Sequence, residues 1–406
     1  MTADNDTVPT STLWGRVWLL FAAGSSLAFH VGKIPAALPS LALEFELGLF
    51  SSSWIVSLFS VLIATFGLVA GVLTTRVDAR LAAVSGLFVA GFSSLLGSFT
   101  DSVSLLIVCR SLEGAGWLVG AITVPVLMRR VAMPKDRALV LGIWGAFMPV
   151  GISLSLLISP WLMNHFQWRG LWLGMGLLTL IASVAVYLGS AGVRVRAETD
   201  ASVTRVTLRD AIAIGLGRAP LFMAACFLVY SAQFLALTTF LPTLLVTEYG
   251  LSLASAAALG AVVVGSNAVG NVLAGWFLSR GMSYRVVLGV AFIMMGVAAS
   301  LTYSDSLSLM TRWISAIAFS ACGGLIPGTL FARAPHVVAN PQHMVIINGL
   351  MLQAAGIGQL SGPPVVGYLV DVSGRWDSAL APTWILLVVA MWCVSSLRRS
   401  SSIEGQ

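Results

Sequence analysis

The chain has 406 residues, of which 58% are hydrophobic and only 9% are charged. An average soluble protein carries roughly 25% charged residues, so a chain this apolar cannot cover a water-facing surface, and lipid must be its main solvent. The formal net charge of +6 does not point to nucleic acid, because the basic residues follow the predicted membrane topology.

Apolar runs recur along the whole chain, each long enough to cross a hydrocarbon layer of about 30 Å as a helix. We predict an all-α membrane protein with twelve transmembrane helices. With the N-terminus in the cytoplasm, 17 of the 22 lysines and arginines fall on cytoplasmic segments, which is the bias that the positive-inside rule describes. The predicted spans are at about 14–40, 52–74, 80–100, 104–128, 138–162, 168–190, 219–246, 253–279, 285–303, 307–332, 344–370 and 379–397.

This topology predicts a multi-pass protein of the cell inner membrane with both termini in the cytoplasm. The first eleven residues show no cleavable signal pattern, so we expect the first span to act as an uncleaved anchor. The four cysteines all fall within spans and none is spaced like a metal ligand. We therefore expect no metal and no cofactor.

The first span carries two of the few ionisable side chains inside the predicted membrane region. His30 and Lys33 are three residues apart, so they share a helical face. Because a charge in lipid is costly, it normally faces a partner or an aqueous path. We predict that Lys33 attracts an anionic group of a substrate and that His30 lines the site or relays protons. The alternatives are a lysine that reaches toward the membrane surface and a histidine that is hydrogen-bonded structure.

The fourth span carries Arg110 and Glu113, also three residues apart. They form either a simple neutralising pair or a functional one. In the functional interpretation Glu113 accepts the coupling proton, and Arg110 binds substrate and modulates the proton affinity of Glu113.

A polar stretch from residue 192 to residue 218 follows the sixth span, and no other internal stretch is as long and as charged. We predict that it is a cytoplasmic linker, partly helical from Thr207 to Ile214. The chain then divides into an N-terminal six-helix bundle at 1–191, the linker at 192–218 and a C-terminal six-helix bundle at 219–406.

The second half has one cation within a span, Arg312, for which we predict a role in binding or gating. Neutral polar residues give a second set of candidates for substrate binding: Tyr230 and Gln233 in the seventh span, Asn267 in the eighth and Asn348 in the eleventh. For each of these four, the alternative is a hydrogen bond that ties two helices together.

The two halves repeat each other at an offset of 202 to 204 residues. A period this long is not that of a solenoid. Because six spans is an even number, both copies enter the membrane in the same orientation, as parallel repeats with a solute site between them. The matched residues are Leu38-Pro39 with Leu241-Pro242, Gly71 with Gly275, Arg76 with Arg280, Asp101 with Asp305, Arg110 with Arg312, and Pro125 with Pro327.

The repeat is broken where the ionisable residues lie. The broken symmetry concentrates charge in the N-terminal half, where we expect the substrate and the proton to bind. At the same offset, His30 is matched by Gln233, Lys33 by Ala236 and Glu113 by Ser315.

Several segments resemble motifs of the major facilitator superfamily. The segment Gly71–Arg80 is similar to its loop motif between the second and third spans, with Thr75 in place of the motif aspartate. Gly275–Arg280 is a second copy of that loop. Arg110–Gly116 looks like the fourth-span motif of an arginine followed by glycines, and Gln167-Trp168-Arg169 is similar to the segment that opens the sixth span.

The resemblance covers essentially the whole chain and implies a twelve-helix transporter that works by alternating access. It also implies gating loops that contain Arg76, Asp78, Arg80 and Arg280. A finer resemblance links Gln359–Gly374 to the eleventh span of cyanate and nitroimidazole permease-like members.

Other classes of membrane protein fit the sequence poorly. The chain has two lysines, and its only Gly-Lys pair lies inside the first span, so it has no phosphate loop of an ATPase. The polar residues are too scattered for an enzyme, and no charge ring or filter of a channel is evident.

We therefore predict a monomeric secondary transporter that moves a small organic solute, which we expect to be an anion, by proton-coupled alternating access. Its partners are the solute, protons and the bilayer, without nucleic acid. The alternative is proton-driven efflux of a drug or a secreted metabolite such as a siderophore. Gly145–Gly151 resembles the fifth-span antiporter motif only in part, which makes efflux the weaker interpretation.

Overall fold

The computed structural model of the chain describes residues 11–74, 77–190, 207–337 and 344–397. These residues are helical nearly throughout, and no strand occurs among them. A chain in lipid is expected to fold this way, because an α-helix pairs its backbone N–H and C=O groups within its own segment.

Seven helices make up the N-terminal bundle. The first has 31 residues and extends roughly 45 Å, more than the thickness of the hydrocarbon layer. A 3-10 turn, Leu58–Ser60, joins the second and third helices into one span. The helices are α1 Trp14–Glu44, α2 Leu49–Ser57, α3 Val61–Thr74, α4 Ala79–Gly97, α5 Val103–Arg130, α6 Arg137–Gly145 and α7 Phe147–Gly189.

The long helix α7 contains two spans. Gln167 has a positive φ of 56° in its middle, which interrupts the helical backbone. The Leu162 side chain lies against Gly174, so the parts before and after Gln167 pack as a hairpin. The fifth span therefore consists of α6 and the first part of α7, and the sixth span is the second part of α7.

The C-terminal bundle contains six long helices, preceded by a short one. The short helix α8 begins at a capping box in which Thr207 and Asp210 bond each other reciprocally. It belongs to the predicted linker, most of which lies outside the described residues. The helices are α8 Leu208–Gly215, α9 Arg218–Tyr249, α10 Leu253–Ser279, α11 Tyr284–Tyr303, α12 Leu309–Arg333, α13 Met344–Ser373 and α14 Leu380–Ser396.

Ten helical stretches of the described chain are long and apolar enough to cross a membrane. One of them, Pro134–Gly189, holds the two spans that meet at Gln167, and the 30-residue α13 adds another. The all-α fold with twelve spans is thereby confirmed.

Both bundles carry the same ion pair at one end of the molecule. We call the end near Trp14 and Ser396 the termini face, and the other end the opposite face. At the opposite face, Asp101 bonds Arg169 at 2.5 Å, and Asp305 lies 3.7 Å from Arg375. Each pair ties the loop after the third span of its bundle to the loop after the fifth. The repeat seen in the sequence is therefore also a repeat of contacts.

The bundles meet along two lines, where α13 packs on α2 and α3 and where α10 packs on α7. We call the first line the α13 seam. Close approach there depends on glycine, since a Cβ on Gly356 would lie 2.5 Å from the backbone nitrogen of Ala64. The Ser60 hydroxyl donates to Gln359 Oε1 at 2.6 Å across the same seam. Small and polar residues thus hold the two bundles together, as is usual between helices in lipid.

Candidate functional site

Helix α1 places His30 and Lys33 inside the N-terminal bundle, where neither side chain is exposed. Gly32 allows this position, because a Cβ there would lie 2.8 Å from the carbonyl oxygen of Ile152 on α7. His30 Nε2 lies 3.0 Å from Thr179 Oγ1 in the second part of α7. The sequence prediction that His30 and Lys33 share one face of the helix is consistent with this geometry.

The Lys33 ammonium group is surrounded by partners from three helices. It donates to Ser94 Oγ on α4 at 2.8 Å and to Glu113 Oε1 on α5 at 2.8 Å. Its nitrogen also lies 4.2 Å from the centre of the Trp172 ring on α7. All of these neighbours belong to the N-terminal bundle, so Lys33 is directed into that bundle and does not line the boundary between the bundles.

Arg110 and Glu113 complete a group of four ionisable residues, His30, Lys33, Arg110 and Glu113, which we call the ion cluster. Arg110 Nη1 bonds Glu113 Oε2 and also donates to the His30 carbonyl at 2.8 Å. His30 Nδ1 lies 3.6 Å from Glu113 Oε2. The Glu113 carboxylate is thus bonded by two cations while having no solvent exposure.

The hydrogen bonds indicate which nitrogen of His30 carries the proton. The Thr179 hydroxyl donates to the Met175 carbonyl at 2.9 Å, so its oxygen accepts from His30 Nε2. His30 Nδ1 is then an acceptor, with the Lys33 ammonium 3.4 Å away. A neutral His30 leaves the cluster with two positive charges and one negative charge.

Breaking a buried pair of this kind costs about 3–5 kcal/mol when one charge is left without a partner. The free energy of the cluster therefore depends strongly on the charge of Glu113. A proton on Glu113 would leave Lys33 and Arg110 without a counter-charge, unless another anion replaced it. In such an arrangement, protonation of Glu113 and the binding of a negative group by Lys33 and Arg110 favour each other.

Arg312, predicted as a further binding residue, lies in the C-terminal bundle and has different partners. Its Nε donates to the Thr302 carbonyl at 2.7 Å, and its Nη2 lies 3.7 Å from Asp305 Oδ1. Its sequence counterpart Arg110 pairs with Glu113 instead. The matched arginines therefore have different surroundings.

The neutral candidates all lie in the C-terminal bundle, separate from the ion cluster. Asn267 Nδ2 donates to the Tyr230 hydroxyl at 3.1 Å and to the Ser320 carbonyl at 3.0 Å, which ties α9, α10 and α12 together. Gln233 Oε1 and Asn348 Oδ1 are buried and accept no hydrogen bond from the described residues.

Of the predicted gating residues, Asp78 caps α4 by accepting from the backbone nitrogens of Arg80 and Leu81. The Arg80 guanidinium donates to Ser190 Oγ at 3.0 Å and packs over the Tyr187 ring. Arg280 packs over the ring of Trp276. Arg76 lies outside the described residues.

Sequence reasoning did not identify Ser94, Trp172 and Thr179, which surround the ion cluster. Each is a single neutral residue in an apolar span, and no spacing links it to α1. Their role depends on which helices are neighbours in three dimensions. The sequence did predict the four ionisable residues of the ion cluster, because two spans each carry a pair of them three residues apart.

The comparisons with known proteins give one consistent result. The chain is 27% identical over 350 residues to monocarboxylate transporter 13 of Rattus norvegicus, an alignment of 80% of this chain and 75% of the relative. It is 25% identical to the nitrite extrusion protein of Bacillus subtilis, covering 83% and 84% of the two chains. It is 22% identical to the hexuronate transporter of the same organism, covering 93% of each.

Among solved structures, the chain resembles a bacterial homolog of the human lysosomal transporter Spinster in an inward-facing and occupied conformation. The TM-score is 0.75 at 15% sequence identity, over 96% of this chain and 97% of that one. This likeness shows a shared fold. The sequence profile of the Major Facilitator Superfamily matches residues 19–354. The chain is therefore a transporter and not an enzyme, and it belongs to the Major Facilitator Superfamily.

Proposed function

We propose that the protein is a proton-coupled transporter of small organic anions and that Glu113 is its proton acceptor. The observation that carries this proposal is the fully buried Glu113 carboxylate bonded by both Lys33 and Arg110. An ionisable group inside a membrane span is in general a sign of a functional site.

The physical basis is a linkage between charge changes. With Glu113 ionised the ion cluster has a net charge of +1, and with Glu113 protonated it has +2. An uncompensated charge in a membrane interior costs several kcal/mol, so an anion that enters the site binds more tightly when the proton is present. By reciprocity the anion also favours binding of the proton.

Arg110 offers a donor for such an anion. Its Nε and Nη1 are occupied by the carbonyls of Ile55 and His30 and by Glu113. Its Nη2 takes part in no hydrogen bond with the described residues. When Glu113 is protonated, Arg110 gains further capacity to bind a carboxylate or a similar group.

The names of the relatives support an anionic solute. Monocarboxylate, nitrite and hexuronate are all anions, and these are the solutes in the names of the relatives described above. Proton-driven export is the second candidate, because the nitrite extrusion protein is named for export.

Transport in proteoliposomes tests the proposal. We expect an inward proton gradient to drive accumulation of at least one anion from a panel of short monocarboxylates, nitrite and glucuronate. Glu113→Gln should lose this accumulation yet retain exchange of labelled solute across the membrane without a gradient. The exposed Glu248 provides the matched control, and Glu248→Gln should behave like the parent protein.

Gradient-driven accumulation that is unchanged in Glu113→Gln would refute the assignment of the proton. The direction of the gradient that drives movement separates the two candidates. Import is supported if solute and protons move the same way, and export is supported if they move in opposite directions.

The proposal also includes a monomer in the inner membrane with the termini face in the cytoplasm and bundle boundaries at 191 and 219. The bias of lysine and arginine toward that face supports it. Labelling of a cysteine placed at Lys135 by an impermeant reagent in intact cells would contradict this orientation.

A further inference from the structure

The second span contains a 3-10 turn that its sequence does not explain by proline or glycine. The helix α2, Leu49–Ser57, is followed by the 3-10 turn Leu58–Ser60 and only then by α3. A stretch of 3-10 helix within a longer helix often marks a hinge. We propose that α2 is a gate segment that pivots about Leu58–Ser60, independently of α3.

The N-terminal end of α2 is hydrogen-bonded to the C-terminal bundle. The residue that precedes the helix is Gly48, which has no side chain to cap it. Asp371 of α13 supplies the cap: its Oδ1 accepts from the Leu49 nitrogen at 3.0 Å and its Oδ2 from the Phe50 nitrogen at 2.7 Å. A carboxylate at a helix N-terminus also interacts favourably with the helix dipole. Asp371 therefore latches α2 to α13 at the opposite face.

The approach of Asp371 depends on two glycines. A Cβ on Gly48 would lie 2.8 Å from Asp371 Oδ2, and a Cβ on Gly367 would lie 2.9 Å from the Leu49 carbonyl oxygen. The Phe50 and Tyr368 rings pack edge to face beside the latch, with centroids 5.6 Å apart. The contact is thus shaped by residues of both helices and is not a chance surface pairing.

The C-terminal end of α2 is hydrogen-bonded to its own bundle, through Arg110 and Ser111, which lie close to Glu113 in α5. Arg110 Nε donates to the Ile55 carbonyl at 3.2 Å, and Ser111 Oγ donates to the Leu58 carbonyl at 3.2 Å. The same Arg110 bonds Glu113 through Nη1. When Glu113 is protonated, Arg110 loses its charged partner. We expect the guanidinium group then to shift and to weaken its hydrogen bond to the Ile55 carbonyl. This step, unlike the latch, rests on the proposed role of Glu113.

The composition of α2 also allows it to move separately. It has three consecutive serines, and two of them bond carbonyls of their own helix: Ser52 Oγ donates to Leu49 and Ser53 Oγ to Phe50. Serine side chains that bond the backbone in this way compete with the helical pattern and weaken it slightly. The next helix, α3, packs on α13 at a separate point, where a Cβ on Gly356 would lie 2.5 Å from the backbone nitrogen of Ala64.

Cysteine accessibility tests the pivot without any assumption about transport. Ser53 on α2 and Ile63 on α3 are both buried. In a background with the four native cysteines replaced by alanine, Ser53→Cys and Ile63→Cys are each labelled with a charged maleimide in detergent. We expect Asp371→Ala to increase the labelling rate of Ser53→Cys about fivefold, the population change expected for one lost helix cap, and to leave Ile63→Cys unchanged.

The control is Asp377→Ala, since Asp377 lies near the same end of the molecule and pairs with Arg375 within the C-terminal bundle. It should change neither rate. A Ser53→Cys rate that is unaffected by Asp371→Ala overturns the latch. Equal increases at Ser53→Cys and Ile63→Cys overturn the pivot, because the whole span would then move together.

Glu113→Gln tests the connection to the ion cluster, and we expect it also to increase labelling of Ser53→Cys. If that variant loses proton coupling but leaves the labelling rate unchanged, the link through Arg110 is overturned and the proposed function stands. If it retains proton coupling, the proposed function fails, whereas the latch is still judged by Asp371→Ala.

Discussion

At the scale of single residues, the decisive feature is that Lys33 and Arg110 share one carboxylate. Each cation makes a direct contact with Glu113, and the three side chains are almost completely buried. A buried pair gains little net stability over an apolar substitute, so stability alone does not explain why these charges lie in a membrane. The proposed role in moving a proton together with an anion would account for them.

Replacing Lys33 should therefore weaken transport more than folding. Lys33→Met leaves Glu113 paired with Arg110 and removes the excess positive charge that would receive an anion. We expect anion uptake in proteoliposomes to fall at least about tenfold, consistent with about 1.5–3 kcal/mol for a hydrogen bond to a charged group.

The other lysine of the chain, Lys135, is exposed at the termini face and gives the matched control. Lys135→Met should transport at the parent rate. Parent-like uptake by Lys33→Met would show that Lys33 does not assist in binding the anion.

The sequence predicted the members of the ion cluster but not the cluster itself. Spacing of three residues placed His30 with Lys33 and Arg110 with Glu113 on shared helical faces. That α1 and α5 bring the two pairs into contact depends on helix packing, which no single span encodes. The same limit applies to Arg312, whose match with Arg110 in the sequence does not show that its partners are Thr302 and Asp305.

At the scale of helices, the α13 seam is one of the two lines along which the bundles meet. Its glycines bring backbones together, and polar side chains cross it at Ser60 with Gln359 and at Gln353, whose Oε1 accepts from the Leu68 nitrogen. Glycines bring the backbones close along the seam, and the rings of Phe50 and Tyr368 pack against each other near its end at the opposite face.

A methyl group in this seam should be costly. A Cβ on Gly356 would lie 2.5 Å from the backbone nitrogen of Ala64, which cannot yield as a side chain can. We expect Gly356→Ala to destabilise the protein by about 1–3 kcal/mol, the usual range for overpacking, seen as a lower Tm in a thermal-shift assay.

Gly142 on α6 has no neighbour within 4 Å of an added Cβ and provides the control. Gly142→Ala should keep or slightly raise Tm, because alanine favours helix. A Gly356→Ala protein as stable as Gly142→Ala would mean that the bundles are not closely packed at this point.

The helices themselves were largely predictable, because about 20 apolar residues in sequence are sufficient to define a span. The 3-10 turn at Leu58–Ser60 was not predicted, since it contains neither proline nor glycine; it lies in contact with α5 and α13, which the sequence does not show. By contrast, the boundary between the fifth and sixth spans was predicted between residues 162 and 168, and the positive φ of Gln167 lies there.

At the scale of the whole molecule, two similar bundles differ in where they place charge. Both have an aspartate–arginine pair at the opposite face, Asp101 with Arg169 and Asp305 with Arg375. The ion cluster lies in the N-terminal bundle. At the repeat offset His30, Lys33 and Glu113 are matched by the uncharged Gln233, Ala236 and Ser315, and Arg110 is matched by Arg312. The aspartate–arginine pairs that both bundles have are consistent with a common framework. The ion cluster, which lies in one bundle, is consistent with a binding site in that bundle.

The central claim is that proton and anion binding are linked through Glu113, and proton uptake on anion binding tests it most directly. Purified protein in weakly buffered detergent solution is mixed with an anion that it transports, and the change in pH is recorded. We predict uptake of about one proton per protein molecule in the parent and none in Glu113→Gln. Anion binding by the parent protein without proton uptake would contradict the account.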